Sequence, residues 1–261
     1  MLNCRVCNSE KTEIFFDDAN HFICLDCNCI FRSNCFENKI NTINNKLKQR
    51  LGISISKRFW DVVATKYIEY LKDKTDLKFK TAFDVGSAYG HFIKKLEDHG
   101  VDANGMEMDQ KHYAKKVTDK VKLGRFDESL TLDKKYDFIS FTQMIYYFNN
   151  PISVLNHTRK FLNPDGLIFI TTCNTISPLL KKYPKIIEGG MNVVLSRQNF
   201  ESLEGFQVVD ITNFRADIFL ERIKNSTALH ELKNFIKFHF KQPFTESEQG
   251  QQSFILLKIL R

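Results

Sequence analysis

Apolar residues recur along this chain with two different periods, and the switch between them marks its organisation. Short strand-like runs come first, EIFF at 13–16 and HFICL at 21–25. A polar stretch rich in Asn and Lys follows at 37–56 and reads as a linker or an exposed helix. From residue 57 the period lengthens. Phe59, Trp60, Val63, Tyr67 and Leu71 fall at helical spacing, so KRFWDVVATKYIEYL predicts an amphipathic helix covering a core.

Beyond that helix, apolar runs alternate with helical stretches. TAFDV (81–85), NGMEM (104–108), VKLG (121–124), YDFISFTQ (136–143), GLIFITT (166–172), FQVVDIT (206–212) and FILLKIL (254–260) predict strands. Helices are expected over 90–100, closed by Gly100, through QKHYAKKV, and over 151–162, where Pro151 suits a first helical turn. Asn163-Pro164-Asp165-Gly166 predicts a turn. Another helical stretch is expected near 225–240, with Phe235, Phe238 and Phe240 forming an aromatic stripe. Strands alternating with helices imply right-handed crossovers and a mostly parallel sheet covered on both faces, an α/β fold.

The chain has 261 residues, 43% hydrophobic and 26% charged, which excludes a disordered polymer and gives enough material for a sizeable core. Its net charge of +7 comes from Lys and Arg scattered among acids, which points to a solvated basic surface rather than a nucleic-acid track. No stretch approaches the roughly 18 apolar residues of a membrane helix. The run MLNCRVCNSEK lacks the apolar core of a secretory signal, so the expected compartment is the cytoplasm, with no membrane partner.

Cysteine usage changes the picture of the first segment. Of the seven Cys, all but Cys173 lie before residue 36: Cys4, Cys7, Cys24, Cys27, Cys29 and Cys35. Two CxxC pairs, Cys4/Cys7 and Cys24/Cys27, offer the four soft ligands of a tetrahedral structural zinc. A segment this short cannot fold on its apolar core alone, so the metal would supply much of the folding energy. Cys29 could replace Cys27, and Cys35 and His21 are further candidates. A closed four-thiolate site leaves no open position for water, which predicts a structural or recognition role.

A second constellation begins with Asp84-x-Gly86-x-Ala88-x-Gly90, an acid at the end of a strand followed by a glycine turn and a helix. The glycines permit close approach of a ligand, and the helix start offers free N–H groups. A carboxylate in that position would repel a phosphate but suits a ligand carrying an ammonium group. Glu107 ends the next strand roughly twenty residues on, where an acid can hydrogen-bond both hydroxyls of a ribose. Phe126 in LGRFDES could pack on an adenine face.

These residues resemble, in order, the motifs of the class I S-adenosylmethionine-dependent methyltransferases, a Rossmann-like family with a seven-stranded, mostly parallel sheet. DVGSAYG is similar to the family's DxGxGxG, with Ala88 for the middle Gly. MEMD matches its ribose-acid motif, YDFISFTQMIYYFNNP its FDxIxxxxVLEHxxDP stretch, and LNPDGLIFI its LKPGGxLxI stretch. The resemblance covers residues 57–261, which leaves 1–36 as a zinc-ribbon-like module and 37–56 as the connection. It implies that Asp84 holds the amino group of the methionine part, bordered by Gly86, Ser87, Ala88 and Gly90. Glu107 would take the ribose, Met108 and Phe126 would flank the adenine, and Gln143 would lie near the sulfonium. Tyr146-Tyr147 stand where relatives carry Glu-His, and Cys173 where many have Pro.

Methyl transfer from a sulfonium needs alignment of the acceptor first, and a base only where the acceptor must lose a proton. His91 and Tyr147 are the base candidates; His157, on the crossover helix, is expected at the surface. Related chains with a short CxxC…CxxC segment act on sugars and other small metabolites, which implies a small-molecule or glycan-precursor acceptor. The alternatives are an RNA methyltransferase of the rRNA type and a cofactor-binding scaffold without catalysis. Arg5, Lys11 and Arg32 are few basic residues for a phosphate-tracking surface.

Overall fold

The computed structural model describes residues 2–16, 20–34, 46–127, 130–187, 190–217, 219 and 243–260. The aromatic stripe at Phe235, Phe238 and Phe240, the helix expected near 225–240, and Cys35 lie outside the described residues. In chain order, the first segment carries β1 (Thr12–Phe16), β2 (His21–Cys24) and β3 (Ile30–Arg32). Next come α1 (Lys46–Thr75), β4 (Thr81–Val85), α2 (His91–Glu97), β5 (Asp102–Glu107), α3 (Gln110–Tyr113) and β6 (Val121–Leu123). They are followed by β7 (Tyr136–Thr142), α4 (Pro151–Thr158), β8 (Leu162–Cys173), α5 (Pro178–Lys182) and β9 (Val193–Val194). The last are α6 (Arg197–Glu201), β10 (Phe206–Ala216), β11 (Phe244–Glu246) and β12 (Gln252–Ile259). The class is α/β, with parallel pairing where helices connect the strands, as the alternating pattern predicts. Among the described residues, no helix is long and apolar enough to cross a membrane.

The chain folds as two compact units, one built from 39–126 with 216–245, the other from 1–38, 127–215 and 246–261. In the first, β4 pairs in parallel with β5, and β5 with β6. The long helix α1 begins at Lys46, well upstream of the apolar stripe, and buries Val63, Ala64, Tyr67, Ile68 and Leu71. It packs on α2, where the Tyr67 and Phe92 rings meet edge-on with centroids 5.6 Å apart. Asp76 and Leu77 then take positive φ and stop it. The shorter α2 buries Phe92, Ile93 and Leu96 and runs into a turn closed by Gly100, φ 80°.

In the second unit β7 runs parallel to β8, which pairs antiparallel with β12, and β12 with β10. Ile168, Phe169 and Ile170 of β8 and Phe254 to Leu257 of β12 are almost wholly buried, the continuous apolar run of a strand covered on both faces. The turn expected at 163–166 is an excursion inside β8: the register slips between Tyr136 and Phe138, and Asn163 Nδ2 donates to Asp137 Oδ1 at 2.7 Å. Asn150 caps α4 ahead of Pro151. His157 is half-buried, not at the surface, because its ring packs against Phe161 with centroids 5.2 Å apart. The Cys-rich segment forms an antiparallel sheet in the order β1-β2-β3-β9, its fourth strand drawn from residues 193–194.

Candidate functional site

The loop between β4 and α2 is built by backbone geometry. Gly86, Ala88 and Gly90 have φ of 74°, 48° and 81°, a run of left-handed residues that turns the chain sharply from strand to helix. The amides of Gly86 and Ser87 both donate to the Met106 carbonyl at 2.9 Å, which lays the loop over β5. Gly105 makes that approach possible, since a Cβ there would meet Ser87 Oγ, the Asp84 carbonyl oxygen and Ile93 Cδ1.

Glu107 joins the two strand ends. Its carboxylate, nearly buried, accepts the Ala88 amide at 2.7 Å on one oxygen and the Asp109 amide at 2.6 Å on the other. Each oxygen keeps a lone pair for a further donor. Asp109 in turn caps α3 by accepting the Lys111 amide at 2.7 Å. Asp84 is buried at the end of β4. Ser87 turns inward, its hydroxyl donating to the Asp84 carbonyl at 2.8 Å, so this side chain braces the loop. Met108 is half-buried and Phe126 buried in the same unit.

His91 opens α2. Its Nδ1 lies 3.5 Å from Asp61 Oδ1 on α1, and the same oxygen meets Lys95 Nζ at 3.2 Å. Burial holds the His91 pKa below its usual value of 6.5; Asp61 opposes this and Lys57 and Lys95 reinforce it. The ring is therefore neutral at pH 7, with Nε2 buried and making no protein hydrogen bond.

Gln143 belongs to the other unit and ends β7 with φ 55°. Its amide group is spent on neighbours: Nε2 donates to Thr171 Oγ1 at 3.0 Å and Gln252 Oε1 at 2.7 Å, and Oε1 accepts the Tyr146 hydroxyl at 3.1 Å. Tyr146 and Tyr147 follow in a 3-10 turn over Ile145–Tyr147, their rings edge-on at 4.7 Å. Cys173 is buried at the end of β8, opposite Gln252.

The two CxxC pairs converge. The sulfurs of Cys4, Cys7, Cys24 and Cys27 lie within 4.8 Å of one another, with Cys4 to Cys27 at 3.7 Å and Cys7 to Cys24 at 3.6 Å. A tetrahedral zinc with Zn–S bonds of ~2.3 Å requires sulfurs ~3.8 Å apart, so the donor set and spacing fit that ion. The pairs are built alike. In each, a following Asn (Asn8 at φ 60°, Asn28 at φ 58°) donates its amide to the carbonyl of the first Cys. The amides of Cys7 and Cys27 point at the Cys4 and Cys24 sulfurs, both at 3.5 Å. The repeated C-x-x-C-N signature carries this geometry in the sequence and was the missed signal.

Cys29 is fully buried, 3.3 Å from Cys4 Sγ. Hydrogen bonding from Cys29 draws the Cys27 thiol down to about 4, and Cys27 in turn keeps Cys29 protonated. By geometry, Cys27 belongs to the four sulfurs that lie within 4.8 Å of one another, and Cys29 stands outside that set. His21 is buried away from the four sulfurs' ligand set, its Nε2–H donating to the Met191 carbonyl at 2.9 Å.

Residues 57–206, more than half of the chain, match the family described as a methyltransferase domain. A ubiquinone biosynthesis O-methyltransferase from Hydrogenovibrio crunogenus is 23% identical over 116 residues, 41% of this chain and 48% of that protein. The enzyme of the same name from Glaesserella parasuis is 26% identical over 141 residues, 49% of this chain and 58% of its own. The chain thus spans about half the length of the curated relatives it matches. Among solved structures, a SAM-dependent methyltransferase from Thermotoga maritima aligns with a TM-score of 0.53 at 14% identity, covering 82% of this chain and 99% of that one. That likeness is one of fold.

Proposed function

The chain belongs to the methyltransferase-domain family, and on that premise we propose that it transfers a methyl group from S-adenosylmethionine to a small-molecule or glycan-precursor acceptor in the cytoplasm. The observation that carries this reading is Glu107, a buried carboxylate held by the Ala88 and Asp109 amides beside the Gly86–Gly90 loop. Fixed in this way, with a lone pair left on each oxygen, it is suited to accept the two hydroxyls of a ribose. Asp84 would face the amino group of the methionine part, with Gly86, Ser87, Ala88 and Gly90 bordering it. Met108 and Phe126 would flank the adenine.

When bound, the sulfonium supplies a methyl group to a nucleophile aligned with the breaking C–S bond. The chain's own contribution is alignment and exclusion of water. The resemblance assigns Tyr146 and Tyr147 to the acceptor, and within their own unit Gln143 holds Tyr146 by accepting its hydroxyl. Where the acceptor must lose a proton, neutral His91, oriented by Asp61, would take it, or Tyr147 in its phenolate form. The ubiquinone biosynthesis O-methyltransferases that the chain resembles support the small-molecule class. Cys4, Cys7, Cys24 and Cys27 would hold a structural zinc, apart from the chemistry.

Calorimetry with S-adenosylhomocysteine, followed by labelled-methyl transfer into metabolite and RNA pools, tests the reading. Saturable binding with label in the metabolite pool is expected. Label in RNA would overturn the acceptor class, and binding without transfer to either pool would favour a scaffold.

A further inference from the structure

The segment 191–196 is fastened on one side to the four-thiol module. His21 Nε2–H donates to the Met191 carbonyl at 2.9 Å, and the Arg32 amide to the Asn192 carbonyl at 3.0 Å. Val193 and Val194 then pair with Phe31 and Ile30, and the Ser196 hydroxyl donates to the Cys27 carbonyl at 2.6 Å. These bonds reach β2, β3 and the second CxxC turn, so the segment follows the module wherever its strands are held.

On its other side the segment grips the turn after β7 through Asn192. The Asn192 amide donates to the Tyr146 carbonyl at 2.7 Å. Its Nδ2 group donates to the Tyr147 carbonyl and to Asn149 Oδ1, both at 2.9 Å. Asn192 is 1% exposed, so water does not replace these partners. From Tyr146 the chain of bonds continues through its hydroxyl to Gln143, and from there to Thr171 and Gln252.

We propose that Asn192 is a positioning residue that makes the order of the tyrosine turn depend on the metal-loaded module. The metal would then act on the turn without touching it. Ligation of the four thiols would fix the two CxxC turns, and with them the strands that hold β9. Loss of the ion would free β3, then β9, and finally the three donors that Asn192 supplies. The loop at 86–90 and Glu107 belong to the other compact unit. The catalytic meaning of the turn rests on the transferase reading; the coupling itself does not.

Amide hydrogen exchange on the full chain, zinc-loaded and after chelation, tests the coupling. Removing zinc is expected to speed exchange in peptides covering 142–149 and 190–196 by ~10-fold or more, with 81–97 holding within ~2-fold. Zinc-loaded Asn192→Ala should show fast exchange at 142–149 with its zinc content unchanged. Asn192→Ser is measured alongside, so that a fold lost in one variant leaves the other to decide. In fluorotyrosine-labelled chain, the Tyr146 and Tyr147 resonances should move on chelation in the unmutated protein, and be already displaced in the variant. The proposal is overturned if chelation leaves 142–149 protected, if it speeds exchange equally at 81–97, or if both variants keep the turn as slow as the unmutated chain. Calorimetry with S-adenosylhomocysteine runs in parallel. Absent binding by the unmutated chain would sink the transferase reading and leave the exchange data to judge the coupling.

Discussion

Glu107 accepts the amide of Ala88 at 2.7 Å, so the acid that ends β5 and the middle of the loop after β4 are held by one hydrogen bond. The Asp109 amide takes the other oxygen, and the carboxylate becomes the tie between two strand ends.

Removing that tie should cost both stability and donor binding. Glu107→Ala leaves two amides without their acceptor, an expected loss of ~1–3 kcal/mol for each donor that stays buried, and S-adenosylhomocysteine affinity should fall at least ~10-fold. Glu107→Gln keeps one acceptor oxygen and should lie between the two. Denaturant unfolding and calorimetry on the same preparations check both effects.

Ala88 sits at φ 48°, where an L side chain costs ~1–2 kcal/mol relative to glycine. Part of the gain in Ala88→Gly is returned through the freer unfolded chain, so a net stabilisation of up to ~1 kcal/mol is expected. Ala88→Val, branched at the Cβ, should destabilise. A denaturation midpoint that does not fall in the order Gly, Ala, Val would contradict the left-handed geometry.

Gly105→Ala should be costly for a reason its neighbours do not share. The added methyl would meet the Asp84 carbonyl oxygen at 2.6 Å, a backbone contact that side-chain rotation does not relieve. Overpacking of this kind costs ~1–3 kcal/mol, and here the shift would fall on the loop over β5. Thermal unfolding and donor-product affinity should decline together.

Acidification should destabilise the chain in part through His91. Its folded-state pKa is lowered by burial, so below pH 6.5 the unfolded chain takes up a proton that the folded one refuses. This contribution is complete above pH 6.5 and is lost as the pH falls beneath it. His91→Gln should therefore show a shallower loss of stability between about pH 7 and pH 5. Parallel curves for the two proteins would refute the assignment.

Metal analysis should find about one zinc per chain. Cys24→Ser should abolish it, whereas Cys29→Ser should retain it, because Cys24 is one of the four sulfurs that lie within 4.8 Å of one another and Cys29 is not. Loss of zinc from both variants would make Cys29 a ligand.

Local chemistry was legible in the sequence, and long-range pairing was not. The acid of TAFDV, the glycines after it and the acid of MEM announce themselves because strand, turn and helix each leave a short periodic trace. The CxxC spacing likewise predicts thiols that converge. In contrast, α1 starts at Lys46 inside a stretch rich in Asn and Lys that reads equally as a linker or an exposed helix, and the sequence alone does not decide between them. The strand β9 is two residues long and exists only because β3 offers it an edge. Gln143 looks like a free polar group at a strand end, but its three partners, Thr171, Gln252 and Tyr146, come from distant or turned segments that spacing does not reveal.

The pairing of Ile30 and Phe31 with Val194 and Val193 also sets an order of events during synthesis. His21 meets Met191 across 170 residues, so the first-made hairpin leaves the ribosome long before its closing strand. Until then β3 presents an open edge, a surface that invites the wrong neighbour. A chain under synthesis would carry this edge uncovered until Val193 and Val194 are made.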